Sequence, residues 1–516
     1  MSDYVVGVDI GTQSTKAILC DARGRIVAQH ASAYAPDTPR PRWAEQWPSV
    51  WLDAVVATVA RCVKAAAASE PGFVPSRVRA LCISSLYGGS GIPVDEAIRP
   101  LHPCLIWMDR RAIAQVEWVR RNVDLEWLYD ITGNSVDSYY GYTKMMWLRD
   151  EQPEVWKRTR WLLPPNAWVI HGLTGEIAVD HSSAGNIGGV YDLERGTWSQ
   201  ETCTALGLDR RMLPDRLVRS SDTVGTLTRD ASQRLGLAAG TPVMAGGVDA
   251  AVATFAAGVT RAGQHVAMIG SSMCWGYITP HVDPRRGLVS MPYVYGSARD
   301  RYVFGGAITA GASVTWFRNV MAQQESAAAA TQGIDLHATL ESEAREVPPG
   351  SDGIVFLPYL MGERSPVWDG EASGAFVGLN LYHSRAHLYR AVLEGVAYSL
   401  RHNIDAGKAG AVSLDAPLGV VGGAARSDLW MQIIADVTGR EVRTLTEDVE
   451  AAIGSALLAA YGVGLVSDAD VARGWVTFES RATPRHDAMQ AYDRGFDVYK
   501  SLYPALRDAM HALARG

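Results

Sequence analysis

YVVGVDIGTQSTKAILCD, residues 4–21, sets one apolar run against another across a tight, hydroxyl-rich turn. Valine and isoleucine dominate residues 5–10, which predicts a buried strand, and TKAILCD (15–21) reads as its hairpin partner. The turn gathers Asp9, Thr12, Gln13, Ser14, Thr15 and Lys16. Glycine in such a turn lets an anion approach bare N–H groups, and the hydroxyls add donors. Two readings stand for the stretch alone, an ordinary hairpin or a phosphate cradle. The spacing Gly-x-x-x-x-Gly-Lys-Ser/Thr is absent, so it is not a Walker loop. Asp9 is placed to hold Mg²⁺, through waters, because that ion keeps much of its hydration.

The layout recurs. HVAMIGSSMCWGYI (265–278) is again strand, glycine-hydroxyl turn, strand, with Gly270, Ser271 and Ser272 at the tip. A third glycine turn, VGGAARSDLW (421–430), follows a strand and precedes a helix. Gly422, Gly423 and Ala424 offer backbone against which a flat base or ribose can lie, with Ser427 beyond them. The repeat predicts two similar domains whose junction falls near Gly258–Gly263. Facing phosphate turns from each would clamp a nucleoside triphosphate between them. PSVWLDAVVATVARCVKAAAA (48–68) carries Trp51, Val55, Val59 and Val63 on one helical face, with Pro48 in its first turn. Residues 112–172 read as largely helical, 173–198 as loop and hairpin, and 447–464 as a small-residue helix suited to close packing. The alanine-rich segment 325–331 reads as a helix or a surface segment.

Composition narrows the function. The chain has 516 residues, too many for one ordinary core, which predicts two or three domains. It is 47% hydrophobic and 20% charged, with net charge −7 and interspersed signs, the balance of a globular protein. No basic block points to nucleic acid. No apolar run reaches the roughly 18 residues of a membrane helix. The six cysteines are scattered without a Cys-x-x-Cys pair, which fits reduced thiols in a cytoplasmic enzyme better than zinc or a disulfide framework.

MAGGVDAAVATFAAG (244–258) holds one charge, Asp249, at the start of an apolar helix after two glycines. The carboxylate either caps the helix or, favoured there by the helix dipole, accepts a proton from a substrate hydroxyl.

These stretches together resemble the FGGY carbohydrate kinases of the actin-like ATPase superfamily. GAFVGLNLYHSRAHLYRAVLEG (374–395) fits the family's C-terminal signature. RWAEQWPSVW (42–51), LIWMDRRA (105–112), MGERSPVWD (361–369) and GGAARSDLWMQIIADVTG (422–439) are similar to xylulokinase-type members. YYGYTKMMWLRDEQP (139–153) meets the N-terminal signature at Lys144, Trp147 and Leu148, with Gly141 departing from it.

The resemblance implies an α/β protein with two ribonuclease-H-like domains, residues 1–258 for the sugar and the base and 259–516 for the nucleotide. A catalytic cleft would lie between them. It implies a sugar kinase using ATP and Mg²⁺, with Asp249 as base and Asp9 and Asp249 at the metal. The nucleotide would meet Thr12, Gln13, Ser14, Lys16, Gly270–Ser272, Gly311, Gly422–Ala424 and Ser427. The acceptor would meet Tyr87, Gly88, Trp107 and Asp109. For Asp109 the alternative is a surface partner of Arg110 or Arg111; for Tyr87 it is packing.

Where xylulokinases carry a histidine that contacts the ketose, this chain has Gly88 in SSLYGGSG (84–91). A polar contact is lost and space is expected. That leaves a ketopentose of the xylulose or ribulose type or, by resemblance to erythritol-kinase-type members, a polyol. A non-catalytic nucleotide switch is a further reading. A homodimer is compatible with the sequence.

Overall fold

The computed structural model describes residues 2–281, 287–297, 299–323, 325–326, 336–408, 412–415, 417–445, 451–473 and 475–514. Two sheets organise it. The first contains β1 (Tyr4–Ile10), β2 (Ser14–Asp21), β3 (Ile26–Ala33), β4 (Val78–Ser85), β5 (Thr223–Thr226) and β6 (Pro242–Met244), in the order β5-β6-β4-β1-β2-β3. The second contains β7 (His265–Ile269), β8 (Met273–Thr279), β9 (Val289–Pro292), β10 (Arg301–Gly305), β11 (Leu418–Val421), β12 (Val442–Leu445) and β13 (Phe478–Ala482), in the order β9-β10-β8-β7-β11-β12-β13.

The duplication expected from the two glycine turns is present in the pairing. Strands β1, β2 and β3 form an antiparallel meander, as do β7, β8 and β10. On the other side β1, β4 and β6 run parallel, and so do β7, β11 and β12. Both glycine turns therefore leave the carboxyl ends of central parallel strands, the place where open α/β sheets bind ligands.

The helix Pro48–Ser69 packs on β2 and β3 with Trp51, Val55, Val59 and Val63 buried, the face expected from the spacing. Residues 113–174 hold five helices and one short strand. Residues 173–198, expected as loop and hairpin, do form the hairpin Tyr191–Asp192 with Thr197–Trp198, but also a helix, His181–Asn186. Of the segment 325–331, residues 327–331 lie outside the described residues.

Chain order and space part company at Ala451–Gly462. Residues 447–450 of the small-residue helix expected over 447–464 lie outside the described residues; the rest comes late in the chain yet packs on β1, β4 and the helix Asp249–Ala256. The approach is backbone to backbone: a Cβ on Gly7 would lie 2.0 Å from the Ala452 carbonyl oxygen and 2.4 Å from the Ala456 nitrogen. Gly454 is held as tightly, 2.2 Å from the Val252 carbonyl oxygen. Overpacking at such a contact moves backbone rather than a rotamer. Gly7→Val is expected to cost about 3 kcal/mol or more of stability, read as a lower denaturation midpoint.

Candidate active site

Asp249 opens the helix Asp249–Ala256, but Val248 is the residue at the cap position and makes no side-chain cap. Among the described residues, the hydrogen bond recorded for the Asp249 carboxylate comes from the Ala250 N–H, 2.7 Å away. Asp249 is therefore not the N-cap residue, although its carboxylate takes one first-turn N–H of the helix. The side chain is half-buried, which leaves it open on one side.

A polar network fixes the segment that presents it. Gly246 has φ +67°, and a Cβ there would sit 1.9 Å from the Ile83 carbonyl oxygen. Ser182 Oγ accepts from Val248 N–H at 3.0 Å and donates to Asp180. Asn166 Nδ2 donates to Asp180 at 2.9 Å and to the Ala245 carbonyl at 3.0 Å. These groups are buried and bonded to one another, so the loop has little freedom.

Asp9, at the end of β1, accepts from Ser84 Oγ at 2.8 Å. Burial, and then the negative charge of Asp9, push the Asp249 carboxyl up to about 8. Two carboxylates that resist joint ionisation fit a cation between them. Among the described residues no three metal-ligating side chains converge. Mg²⁺ needs no such cage, because it is held by one or two carboxylates plus phosphate oxygens and water.

The turns divide into open and committed parts. Gly270, Ser271 and Ser272 are exposed, and a Cβ on Gly270 or Gly423 would meet nothing within 4 Å. Gly422 has φ +94° and lies against Ile269 beside the first of these turns. Thr12 and Ser14 are half-buried and Gln13 is exposed; the Gln13 carbonyl accepts from Tyr34 N–H at 2.9 Å. Lys16 pairs across the hairpin with Asp9.

Three expected nucleotide contacts also have structural partners of their own. The Gly311 N–H donates to the Gly270 carbonyl at 2.9 Å and so supports the turn. Ala424 is buried in the second half's core. Ser427 caps the helix Asp428–Thr438, its hydroxyl accepting from Trp430 N–H at 3.0 Å.

On the acceptor side, Trp107 is half-buried and its Nε1 donates to Thr12 Oγ1 at 2.9 Å, tying the two turns together. Gln46 Nε2 adds a bond to the Thr12 carbonyl at 3.0 Å. Asp109 is corrected: it is fully buried and accepts from Ala44 N–H at 2.7 Å and Arg111 Nε at 2.8 Å. Its other oxygen accepts from Arg111 N–H at 3.0 Å. It anchors Arg111 and does not face a sugar. Tyr87 is 3% exposed with its ring in an apolar cluster, and its buried hydroxyl has no partner among the described residues.

The space expected beside Gly88 is also absent. Gly88 has φ +81°, and a Cβ would lie 3.1 Å from both Trp107 Cβ and the Tyr139 ring. Lys144 Nζ holds this wall by donating to the Gly88 and Tyr139 carbonyls at 2.6 Å each.

Sequence reasoning passed over Tyr139, Asn166, Asp180 and Ser182. Tyr139 lay within the stretch quoted for the N-terminal signature. Asp180 is a helix N-cap, accepting from Ser183 N–H at 2.8 Å, and Asp before a short polar run was the signal available.

Comparisons with known proteins agree with this geometry. Residues 4–256 match the family model described as "FGGY family of carbohydrate kinases, N-terminal domain", and residues 265–463 match the corresponding C-terminal domain. A xylulose kinase of Bacillus subtilis (strain 168) is 29% identical over 99% of this chain and 98% of its own length. A gluconokinase of Bacillus licheniformis is 28% identical over 100% of this chain and 98% of its own. The crystal structure of xylulose kinase from Rhodospirillum rubrum superposes with TM-score 0.87 at 30% identity, covering 98% of this chain and 100% of that one. Asp249 at its helix N-terminus, a glycine turn at the end of a central strand in each sheet and both domain matches lead to one assignment: the chain belongs to the FGGY family of carbohydrate kinases and is a sugar kinase of the two-domain actin-like ATPase fold.

Proposed function

We propose that this kinase transfers the γ-phosphoryl group of ATP to a hydroxyl of a ketopentose of the xylulose or ribulose type, with Asp249 as general base. The observation that carries the reading is the Asp249 carboxylate. It is half-buried, held by one backbone N–H, and raised to about 8 by burial and by the repelling charge of Asp9. A base poised near working pH suits removal of a hydroxyl proton as the oxygen attacks phosphorus. Thr12, Ser14 and the 270–272 turn supply donors to the phosphates, and Gly422–Gly423 a flat backbone for the nucleoside. Asp9 and Asp249 would hold Mg²⁺, which when bound neutralises charge on the transferring group. Trp107 and Tyr139 wall the acceptor.

The names of the relatives favour a ketopentose, and the gluconokinase gives a sugar acid a specific argument as second reading. A small polyol rests on the Gly88-Gly89 resemblance alone, and none of the relatives named above is a polyol kinase. ADP release measured over D-xylulose, D-ribulose, L-ribulose, L-xylulose, D-gluconate, glycerol and erythritol tests the reading. The highest kcat/KM is expected on a pentulose. A maximum on glycerol or erythritol would reject it.

A further inference from the structure

MGERSPVWD (361–369) is not used by any step above, yet it closes on the acceptor wall from the other half of the molecule. Glu363 and Asp369 exchange backbone hydrogen bonds at 2.8 and 3.0 Å, which shuts the segment into a loop. Glu363 Oε1 accepts from Ile308 N–H at 3.1 Å and Ser365 Oγ from Gly306 N–H at 2.7 Å, pinning the loop to the end of β10. Trp368 lies against two rings of the first half, with centroids 6.1 Å from Tyr139 and 6.2 Å from Tyr140.

Between these pins sits Arg364, 8% exposed. Its Nη2 donates to the Met273 carbonyl at 3.1 Å, and Gly306 leaves the room for it, since a Cβ there would be 2.8 Å from that nitrogen. Its Nε is buried and has no partner among the described residues. Asn186 is fully buried beside Tyr139 and acts on its phenol as a hydrogen-bond partner. Tyr139 lies between the two. The positive charge of Arg364 acts on the Tyr139 phenol and the Cys274 thiol, the same two groups on which the charge of Asp249 acts.

A desolvated guanidinium N–H without a partner is rare and needs an explanation. A polar ligand admitted while the halves are apart, and enclosed as they meet, supplies the missing partner. We propose that Arg364 and Asn186 form, around Tyr139, a subsite beside Asp249 that takes a hydrogen-bond-accepting oxygen, carbonyl or carboxylate, of an acyclic polyhydroxy acceptor. The guanidinium donates only, so it selects an acceptor oxygen; the amide can donate or accept and takes a hydroxyl. Arg364 is thereby a specificity-determining residue contributed by the nucleotide half. The inference rests on the reading of Asp249 as base.

The test uses the full-length enzyme with Arg364→Met, Arg364→Lys and Asn186→Ser, assayed on D-xylulose, D-gluconate and erythritol. For Arg364→Met, KM for the acceptor that carries a carbonyl or carboxylate is expected to rise ten-fold or more. KM for ATP stays within two-fold, and Lys restores part of the loss. A loss confined to D-xylulose identifies the carbonyl, and one confined to D-gluconate the carboxylate. Erythritol, with hydroxyls alone, is expected to change least for the Arg364 variants. If Arg364→Met does not fold, Arg364→Lys and Asn186→Ser are read on the same KM values. Acceptor KM within two-fold of the parent in folded variants overturns the proposal, as does an equal rise for all three acceptors. Failure of the underlying reading looks different, because Asp249→Asn would then keep its transfer activity.

Discussion

Asp249→Asn is expected to lower kcat by about 10³-fold on the best acceptor, the size of a general base's contribution. Its ATP dissociation constant should stay within about two-fold, because one oxygen in the amide replaces one in the carboxylate and the phosphate turns are untouched. The same variant should be more stable than the parent at alkaline pH. The carboxyl is raised from 3.8 to about 8 by burial and by Asp9. Between those values the folded protein holds a proton that the unfolded chain has released. The stability this gives the parent is complete below pH 3.8 and lost as pH rises through about 8. Asparagine never ionises, so the gap between variant and parent should open across that window and level off above it. Thermal melts without nucleotide or Mg²⁺ read this directly. Equal melting temperatures at pH 5 and pH 9, together with retained transfer, would remove Asp249 from the role. A gain in stability at the expense of rate is what an electrostatically strained functional group should show.

The parts legible in the sequence are those written in local chemistry. Residues 4–21 and 265–278 gave two hairpins because strand periodicity and a glycine turn are both short-range signals, and the helix Pro48–Ser69 followed from a repeated apolar face. Asp249 stood out as a lone charge in an apolar run. What was not legible depends on which neighbour arrives from far along the chain. Nothing near Gly88 announces that the Tyr139 ring fills the place of its missing side chain. Nothing near Asp109 says that the Ala44 N–H, 65 positions away, completes its bonding. Ser427 and Ala424 followed a glycine turn of the expected kind, but helix capping and core packing had first claim on them. The helix Ala451–Gly462 packs closely, as its small residues led one to expect, and one of its partners, β1, lies more than 400 positions earlier in the chain.

The corrected role of Asp109 gives the other large effect. Arg111 is 1% exposed at its side chain and Asp109 0%, with Nη2 and carboxylate 2.7 Å apart. The same Nη2 reaches Glu45 at 2.6 Å, and the guanidinium lies 3.7 Å over the Trp43 ring and 4.9 Å from Trp147. Arg111→Met removes the positive partner and leaves Asp109 buried. A broken buried pair of this kind costs about 3–5 kcal/mol, to be read as a fall in the denaturation midpoint. Activity should fall with it through the backbone. The strand Glu45–Gln46 pairs with Cys104–Leu105, and from this pair Gln46 and Trp107 reach Thr12, so loosening it frees both the acceptor wall and the phosphate turn. Arg111→Met with Asp109→Asn should recover part of the lost stability, since the double variant no longer buries an unpaired charge. A sugar ligand at position 109 would behave in the opposite way. Asp109→Asn alone would then raise acceptor KM sharply while leaving the midpoint in place, and adding it to Arg111→Met would recover nothing. The buried anchor predicts instead that the midpoint moves first, and that acceptor and nucleotide KM rise together, because both binding turns hang from the same two strands.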